Sequence, residues 1–552
     1  MNRNEGNELY LKAQKLALRD YREKMLAGQS PFLPVLDDIL QNVPVENQIP
    51  LGQVDIPLNL LVGTKTTGRT AAFASNFMPL LDLKTEFASK WVNLCLSHLE
   101  EGIRDPIRCY EYMGRFYVQE GNKRVSVLKY FDATSILGNV IRIVPQYSED
   151  PAVQMYYEFM HYYPITQTYL LTFTKPGSYA RLQKILGKGP DEKWSDEDRV
   201  EIMSLYNWVE KAFLAHRGAK LSVTAGDVLL LLLRVYTMKE LADSSPSELS
   251  EKLDALWDDV LALQKGDPVQ VSDKPAEPKQ AGLLDRILPG KRTAPTHLKV
   301  AFVHERTPGT SSWTSQHEFG RTQLDTVFEG QVETVAYFNA VPGENADALV
   351  EQAITDGADV VFTTSPKLVG ASLRSAVKHP TVRILNCSME MPYASIRTYY
   401  TRVYEAKFIT GAIAGAMAGT DRIGYVADYP SFGVPANINA FALGARMANP
   451  RARIELLWTC LPDQTDPLHT FTQKGISVIS GRDAPTPNRP QREFGTFLVG
   501  PGGVLQDLAT PFWHWGQFYE NVIRTVLNGG WVRDKSGTDG RAVNYWWGMN
   551  SG

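Results

Sequence analysis

Two loops in this 552-residue sequence carry residue types and spacings that could do chemistry. The first is Glu120-Gly121-Asn122-Lys123-Arg124. A glycine that opens a helix leaves backbone amides free to meet an anion, the helix dipole adds positive potential, and Lys123 and Arg124 bring two cations. Gly121, Asn122, Lys123 and Arg124 therefore read as a phosphate cradle. A solvated basic turn capping a short helix is the simpler alternative on local physics alone. The second loop runs through Ser311 and Ser312 to Trp313, shortly after a β-rich run that ends at Val303. Loops that leave the carboxyl end of a parallel strand open where ligands sit. There an indole offers a flat stacking surface, although a tryptophan near a helix start is also a common core residue.

Other chemistries find less support. Cys95, Cys109, Cys387 and Cys460 form no CxxC pair, and no two of the nine histidines stand at HxxxH or HExxH spacing, so neither a metal site nor a disulfide framework is expected. No dinucleotide fingerprint or P-loop follows any of the strand-like runs. A formal net charge of -4 gives the whole chain no attraction to phosphate backbones, and no helix-turn-helix is identifiable, so DNA is not an expected partner. The first residues are charged at every turn and lack the apolar core of a secretory signal. The most apolar run, Val228 to Leu233, is far short of a membrane span. Together with the scattered thiols, these features predict a cytoplasmic protein.

The elements that must position the two loops are legible in the periodicity. Around the first, Arg104 to Tyr112, Met113-Gly114-Arg115 and Phe116 to Gln119 read as strand, tight turn and strand, followed by the glycine loop and a helix. Phe87, Trp91, Leu94, Cys95 and Leu99 share one helical face, closed by Gly102. Ser245, Pro246 and Glu248 supply an N-cap, a first-turn proline and a capping-box glutamate for another helix. Around the second loop, strand-like runs at Lys299 to Val303, Glu333 to Tyr337, Asp359 to Thr363, Arg383 to Asn386 and Arg422 to Val426 alternate with amphipathic helices. One such helix presents Ala346, Leu349, Val350, Ala353 and Ile354 and ends at Gly357. This rhythm implies parallel sheets with right-handed crossovers. Lys265 to His297 carries five prolines among charged and small residues and reads as a linker, in which Leu283 to Leu288 could form one sticky helical turn. The expected division is an N-terminal helical segment 1–45, an α+β domain 46–150, a helical domain 151–264, the linker 265–297 and an α/β domain 298–552.

Two family resemblances build on these patterns. Tyr404 to Gly419, with small residues at Gly411, Ala414, Gly415, Ala418 and Gly419, precedes Asp421 to Asp428. With Ser311 to Arg321, Ile438 to Ala445 and Asn449-Pro450, it resembles, over about 299–550, the basic membrane protein (BMP) family of substrate-binding proteins, which includes purine nucleoside receptors and Med-type regulators. The resemblance implies a two-lobed periplasmic-binding-protein fold of type I that closes on a small ligand, with a base stacked on aromatic side chains. Trp313 stands where the nucleoside-binding branch carries an aromatic. The ligand-facing set expected from the resemblance is Ser311, Ser312, Trp313, His317, Asp428, Trp513 and Trp515. Two positions depart from the family pattern: Val499 to Gly503 replaces an aspartate-rich ribose segment, and the place of a lysine falls within Phe512 to Trp515.

The order Pro106-Ile107, Gly114-Arg115, Gly121 to Arg124 and Val140 to Pro145 resembles the ParB/sulfiredoxin superfamily over about 46–150. Asn122 stands where the sulfiredoxin branch has its cysteine, so the resemblance implies the nucleotide-binding ParB branch, in which Gly121 to Arg124 contact nucleotide phosphates and Glu120 is a candidate catalytic or metal-facing carboxylate, with CTP or ATP and Mg as candidate cofactors. Together these features predict an intracellular sensor: a purine nucleoside-like ligand closes the C-terminal lobes and alters the ParB-like module, with a transporter or regulatory protein as a further partner. The alternatives are a solute receptor of an ABC transporter and a nucleotide hydrolase or phosphotransferase.

Overall fold

The computed structural model describes residues 3–264, 270–272, 296–388, 393–428, 433–461, 466–482, 494–531 and 543–549. The chain forms two compact units, Met1–Lys211 with Thr224–Leu230, and Ala212–Val223 with Leu231–Gly552. The helical stretch 151–264 is thus shared between units.

The first unit holds a five-stranded sheet of β1 (Val45–Pro57), β2 (Leu61–Thr64), β3 (Ile107–Tyr112), β4 (Arg115–Glu120) and β5 (Ser135–Pro145), in the order β1-β5-β3-β4-β2. The tight turn between β3 and β4 has two consecutive positive-φ residues, Met113 at 51° and Gly114 at 73°. Such a pair matches the natural twist of a hairpin. The Gly114 amide also donates to Glu111 Oε1 at 2.7 Å. Glu111 is fully buried and takes the Arg142 Nε at 2.5 Å, while the Tyr156 hydroxyl donates to the same carboxylate and Arg142 donates to the Tyr169 hydroxyl at 2.7 Å. Burial, and next the Glu111 charge, push the Tyr156 hydroxyl far above the ordinary phenol range. The aromatic helix Pro151–Thr166 is fastened to the sheet by this network. The predicted helix is Glu86–Glu101, with Thr85 accepting from the Ala88 amide and Gly102 at φ 78° closing it. Its Trp91 is buried and donates to Ser126 Oγ at 2.8 Å.

The second unit holds two sheets. In the larger, β6 (Gln270–Ser272), β7 (Leu298–Val303), β8 (Val332–Tyr337), β9 (Val360–Thr363), β10 (Arg383–Cys387), β11 (Arg397–Thr401) and β17 (Val543–Trp547) lie parallel in the order β6-β17-β11-β10-β9-β7-β8. The smaller comprises β12 (Arg422–Ala427), β13 (Arg453–Trp458), β14 (Val478–Ser480), β15 (Thr496–Val499) and β16 (Leu505–Ala509), ordered β13-β12-β14-β15-β16, with β15 antiparallel to both neighbours. The five strands expected from β-rich runs are all present, and the architecture is α/β with mostly parallel sheets. Backbone pairing recruits β6 from inside the proline-rich segment 265–297, so that part of the expected linker extends the sheet. The Leu283 to Leu288 turn lies outside the described residues.

The small residues of the 404–419 segment have a packing role. The helix Val403–Met417 crosses Val434–Ala448 so closely that a Cβ on Gly411 would sit on the Phe441 carbonyl, one on Gly415 on the Ala445 carbonyl, and one on Gly444 on the Phe408 carbonyl. The helix Pro246–Ala255 has the expected Ser245/Glu248 capping box. In the next helix, Trp257–Ala262, the fully buried Asp259 accepts the Ala394 amide at 2.7 Å and the Ser395 amide at 3.2 Å, fixing the approach to β11.

Candidate functional site

In the larger sheet of the second unit, the chain passes from β7 to β8 on one side and returns from β8 to β9 on the other. The carboxyl ends of β7 and β9 therefore form a topological switch point, where parallel α/β sheets leave a crevice. His304 and Glu305 follow β7; Thr364 and Ser365 follow β9. Four side chains are locked across this point. His304 contacts Thr364 Oγ1 through Nδ1 and Glu318 Oε1 through Nε2, both at 2.9 Å. An ionised carboxylate only accepts, so Nε2 carries the proton toward Glu318. Against the upward push of burial, His304 and Arg321 hold the Glu318 carboxyl below its ordinary range. Glu305 is held low in the same way by Lys367 and Ser365, at 2.7 Å and 2.8 Å.

Trp313 sits in the first turn of the helix Ser312–Val327, for which Ser311 is the N-cap and accepts from the Thr314 amide. Its ring is half-buried, and its Nε1 donates to the Thr364 carbonyl at 2.7 Å. Tyr400, at the end of β11, faces it at 6.3 Å and 30°. Below Trp313 the aromatic stack continues with His317 and Trp515, ring centroids 4.2 Å apart. His317 is fully buried and bonded to the Tyr519 hydroxyl at 2.5 Å; burial, with His304 nearby, lowers its pKa well below the ordinary value, so the ring is neutral.

The expected ligand-facing set thus divides. Ser311, Ser312 and Trp313 are half-buried at the crevice. His317, Trp513 and Trp515 are buried, the two tryptophans in the core cluster onto which the amphipathic helix Trp515–Leu527 turns its apolar face, and His317 and Trp515 pack edge-on against Trp313. Asp428 lies on the smaller sheet at the end of β12, exposed, accepting from Thr459 Oγ1 at 2.7 Å and 3.5 Å from Arg482.

Sequence reasoning passed over several polar groups. Asn386 near the end of β10 donates to Thr363 Oγ1 and the Ser365 carbonyl, while its Oδ1 has no partner; Ser388 Oγ and Thr401 Oγ1 are likewise buried without one among the described residues. These orphaned atoms gather at the ends of the adjacent strands β10 and β11. On the helix Val403–Met417, Lys407 is buried against the smaller sheet, its Nζ 3.2 Å from Ser480 Oγ and 5.1 Å above the Tyr425 ring. The available signal was position, and only at β10: Asn386 terminates the strand-like run Arg383 to Asn386 and Ser388 follows it, whereas no such run announced Thr401.

In the first unit, the loop 120–124 has the expected backbone, with Gly121 at φ 110° opening the helix Asn122–Tyr130. Its side chains turn elsewhere. Arg124 Nη1 donates to the Asp105 and Pro106 carbonyls at 2.9 Å and 2.7 Å, Lys123 Nζ lies 4.7 Å over the Phe87 ring, and Glu120 is 3.9 Å from Arg108. Asn122 is buried. The two cations thus hold the preceding turn and cover a ring of the helix Glu86–Glu101, and among the described residues no cluster of three or more His, Cys, Asp or Glu could hold a metal. No helix among those residues is long and apolar enough to cross a membrane.

Residues 297–460 match the family model of PnrA-like ABC transporter substrate-binding proteins (Bmp). The C-terminal part carries a Bmp-type substrate-binding domain. This domain is similar to a purine-binding protein of Brucella abortus, 26% identical over 277 residues that span 48% of this chain and 77% of that protein. A second relative, from Haloferax volcanii and named for ABC transporter glucose binding, is 26% identical over 266 residues, 46% of this chain and 65% of its own length. Among solved structures, an ABC transporter solute-binding protein from Conexibacter woesei aligns with a TM-score of 0.34 and 15% identity over 46% of this chain and 84% of its own. A transcriptional activator of the comK gene from Bacillus halodurans aligns with a TM-score of 0.37 and 16% identity over 46% and 88%.

Proposed function

We propose that the Bmp-type domain binds a flat heteroaromatic small molecule, a purine base or nucleoside, against Trp313. The observation that carries this reading is the placement of Trp313: half-buried at the switch point, oriented by its bond to the Thr364 carbonyl and flanked by Tyr400. The unpartnered Asn386 Oδ1 and Ser388 Oγ add polar groups suited to a base edge. The Brucella relative named for purine binding favours the same class. The relative named for glucose binding sets the competing outcome.

Calorimetric titration with adenine, guanine, adenosine, guanosine and glucose tests the proposal. A purine should bind, and Trp313→Ala should weaken it by ~1–3 kcal/mol, the value of a base stacked on an aromatic ring. Binding of glucose but of no purine, or purine affinity unchanged in the variant, overturns the reading.

A further inference from the structure

The first unit contains a pocket that the ligand-binding domain does not account for. It has a volume of about 550 Å³, within the range of small-molecule sites. Its walls come from the helix Arg3–Leu26, the turn at Asn59, the loop at Asn76 and the end of the helix Asn122–Tyr130. Charges of both signs line it: Lys129 and Arg19 against Asp20, Glu23 and Asp132.

Lys129 stands apart from the other cation. Arg19 pairs with Glu23 at 2.8 Å on the exposed face of its helix. The Lys129 ammonium donates to the Leu61 carbonyl at 2.8 Å and stands 4.9 Å over the Phe77 ring, and neither of these neighbours carries a negative charge. Burial lowers its pKa from 10.5 to about 8. Asp20 accepts from Ser75 Oγ at 2.6 Å, which aims the carboxylate, and Asp132 is held in the left-handed turn that ends the Lys129 helix, at φ 51°.

We propose that this pocket binds a small zwitterion, an amino acid or dipeptide in size, with its anionic group on Lys129 and its cationic group on Asp20 and Asp132. A simple anion would meet the pocket's carboxylates, and a simple cation would meet Lys129. A ligand carrying both charges finds a partner of opposite sign for each. A partly buried charge gains most from a partner of opposite sign, because solvent screens the pair least there.

The test is calorimetry on the full chain with the twenty amino acids and a set of dipeptides, near pH 8, in two buffers of different ionisation enthalpy. The anionic group restores the charged form of Lys129, so binding should take up part of a proton. The Lys129→Met variant should lose that uptake and bind at least tenfold more weakly. Asp132→Asn, which tolerates the left-handed backbone, should weaken binding without lowering the melting temperature, and it decides the matter if Lys129→Met fails to fold. Trp313→Ala should leave the affinity intact, which separates this site from the purine site. No heat with any probe at millimolar concentration overturns the proposal. So does affinity kept in Asp132→Asn, or affinity lost in Trp313→Ala.

Discussion

The indole of Trp313 donates to the carbonyl of Thr364 at 2.7 Å, joining the helix that follows β7 to the loop that follows β9. One hydrogen bond thus ties together the two strand ends of the switch point and sets the orientation of the ring. Because the same ring packs edge-on against His317 and Trp515, truncation removes core contacts along with the stacking surface. Trp313→Phe keeps most of the ring but not the donor. It should lower stability by about 0.5–1.5 kcal/mol, the net value of a hydrogen bond, measured by urea unfolding, and should retain more ligand affinity than Trp313→Ala. Equal affinity loss in the two variants would show that orientation, and not stacking area, dominates.

The close helix pair beside the smaller sheet of the second unit is a steric prediction. At Gly411 and Gly444 a Cβ would meet backbone carbonyls, which cannot rotate away as a side chain can. Gly444→Ala should destabilise by roughly 1–3 kcal/mol through overpacking, read as a drop in denaturation midpoint. Gly419→Ala, where nothing stands within 4 Å of the added carbon, is the control and should change little.

The Glu111–Arg142 pair lies within the first unit with both side chains buried. Glu111→Ala leaves the guanidinium without its partner and should cost ~3–5 kcal/mol, the scale of breaking a buried ion pair from one side. Adding Arg142→Met to that variant should recover part of the loss. A double variant less stable than Glu111→Ala would count against the pairing.

Lys129 gives the first unit a pH signature. Its folded pKa of about 8 lies below the ordinary 10.5, so between these values the unfolded chain binds more protons than the folded one. Stability from this group therefore rises with pH from about 8 to 10.5, and the cost of burying the charge is fully present below 8. Denaturation midpoints across that range should slope less steeply upward in Lys129→Met; identical slopes would mean the ammonium is well hydrated.

Arg124 separates a structural from a nucleotide role in the 120–124 loop. With its Nη1 on the Asp105 and Pro106 carbonyls, Arg124→Ala should lower the melting temperature of the first unit. Calorimetry with CTP and ATP, with Mg present, should give little heat in the parent. Strong binding lost in the variant would restore the phosphate cradle.

The sequence by itself determined the local elements. The five strand-like runs of the C-terminal part, the Ser245/Glu248 capping box, the Gly102 helix end and the Met113-Gly114 turn follow from near-neighbour physics: side-chain periodicity, cap hydrogen bonds and the positive φ that glycine permits. The motifs that carried the resemblance to the BMP family were legible for the same reason, being short and ordered along the chain. Only the tertiary structure decided which of the expected site residues meet the crevice. His317 and Trp313 lie four residues apart on one helix, yet the first is sealed beneath Trp515 while the second reaches the surface, a difference made by the distant helix Trp515–Leu527. Likewise, the basic pattern of Lys123 and Arg124 is the same whether the side chains face a phosphate or their own chain. Their direction is set by Phe87 and the carbonyls of Asp105 and Pro106, contacts between residues 18 to 36 positions apart. The pocket around Lys129 draws on residues from Leu16 to Ala133, and no local pattern announces a cavity whose walls meet only when the chain folds.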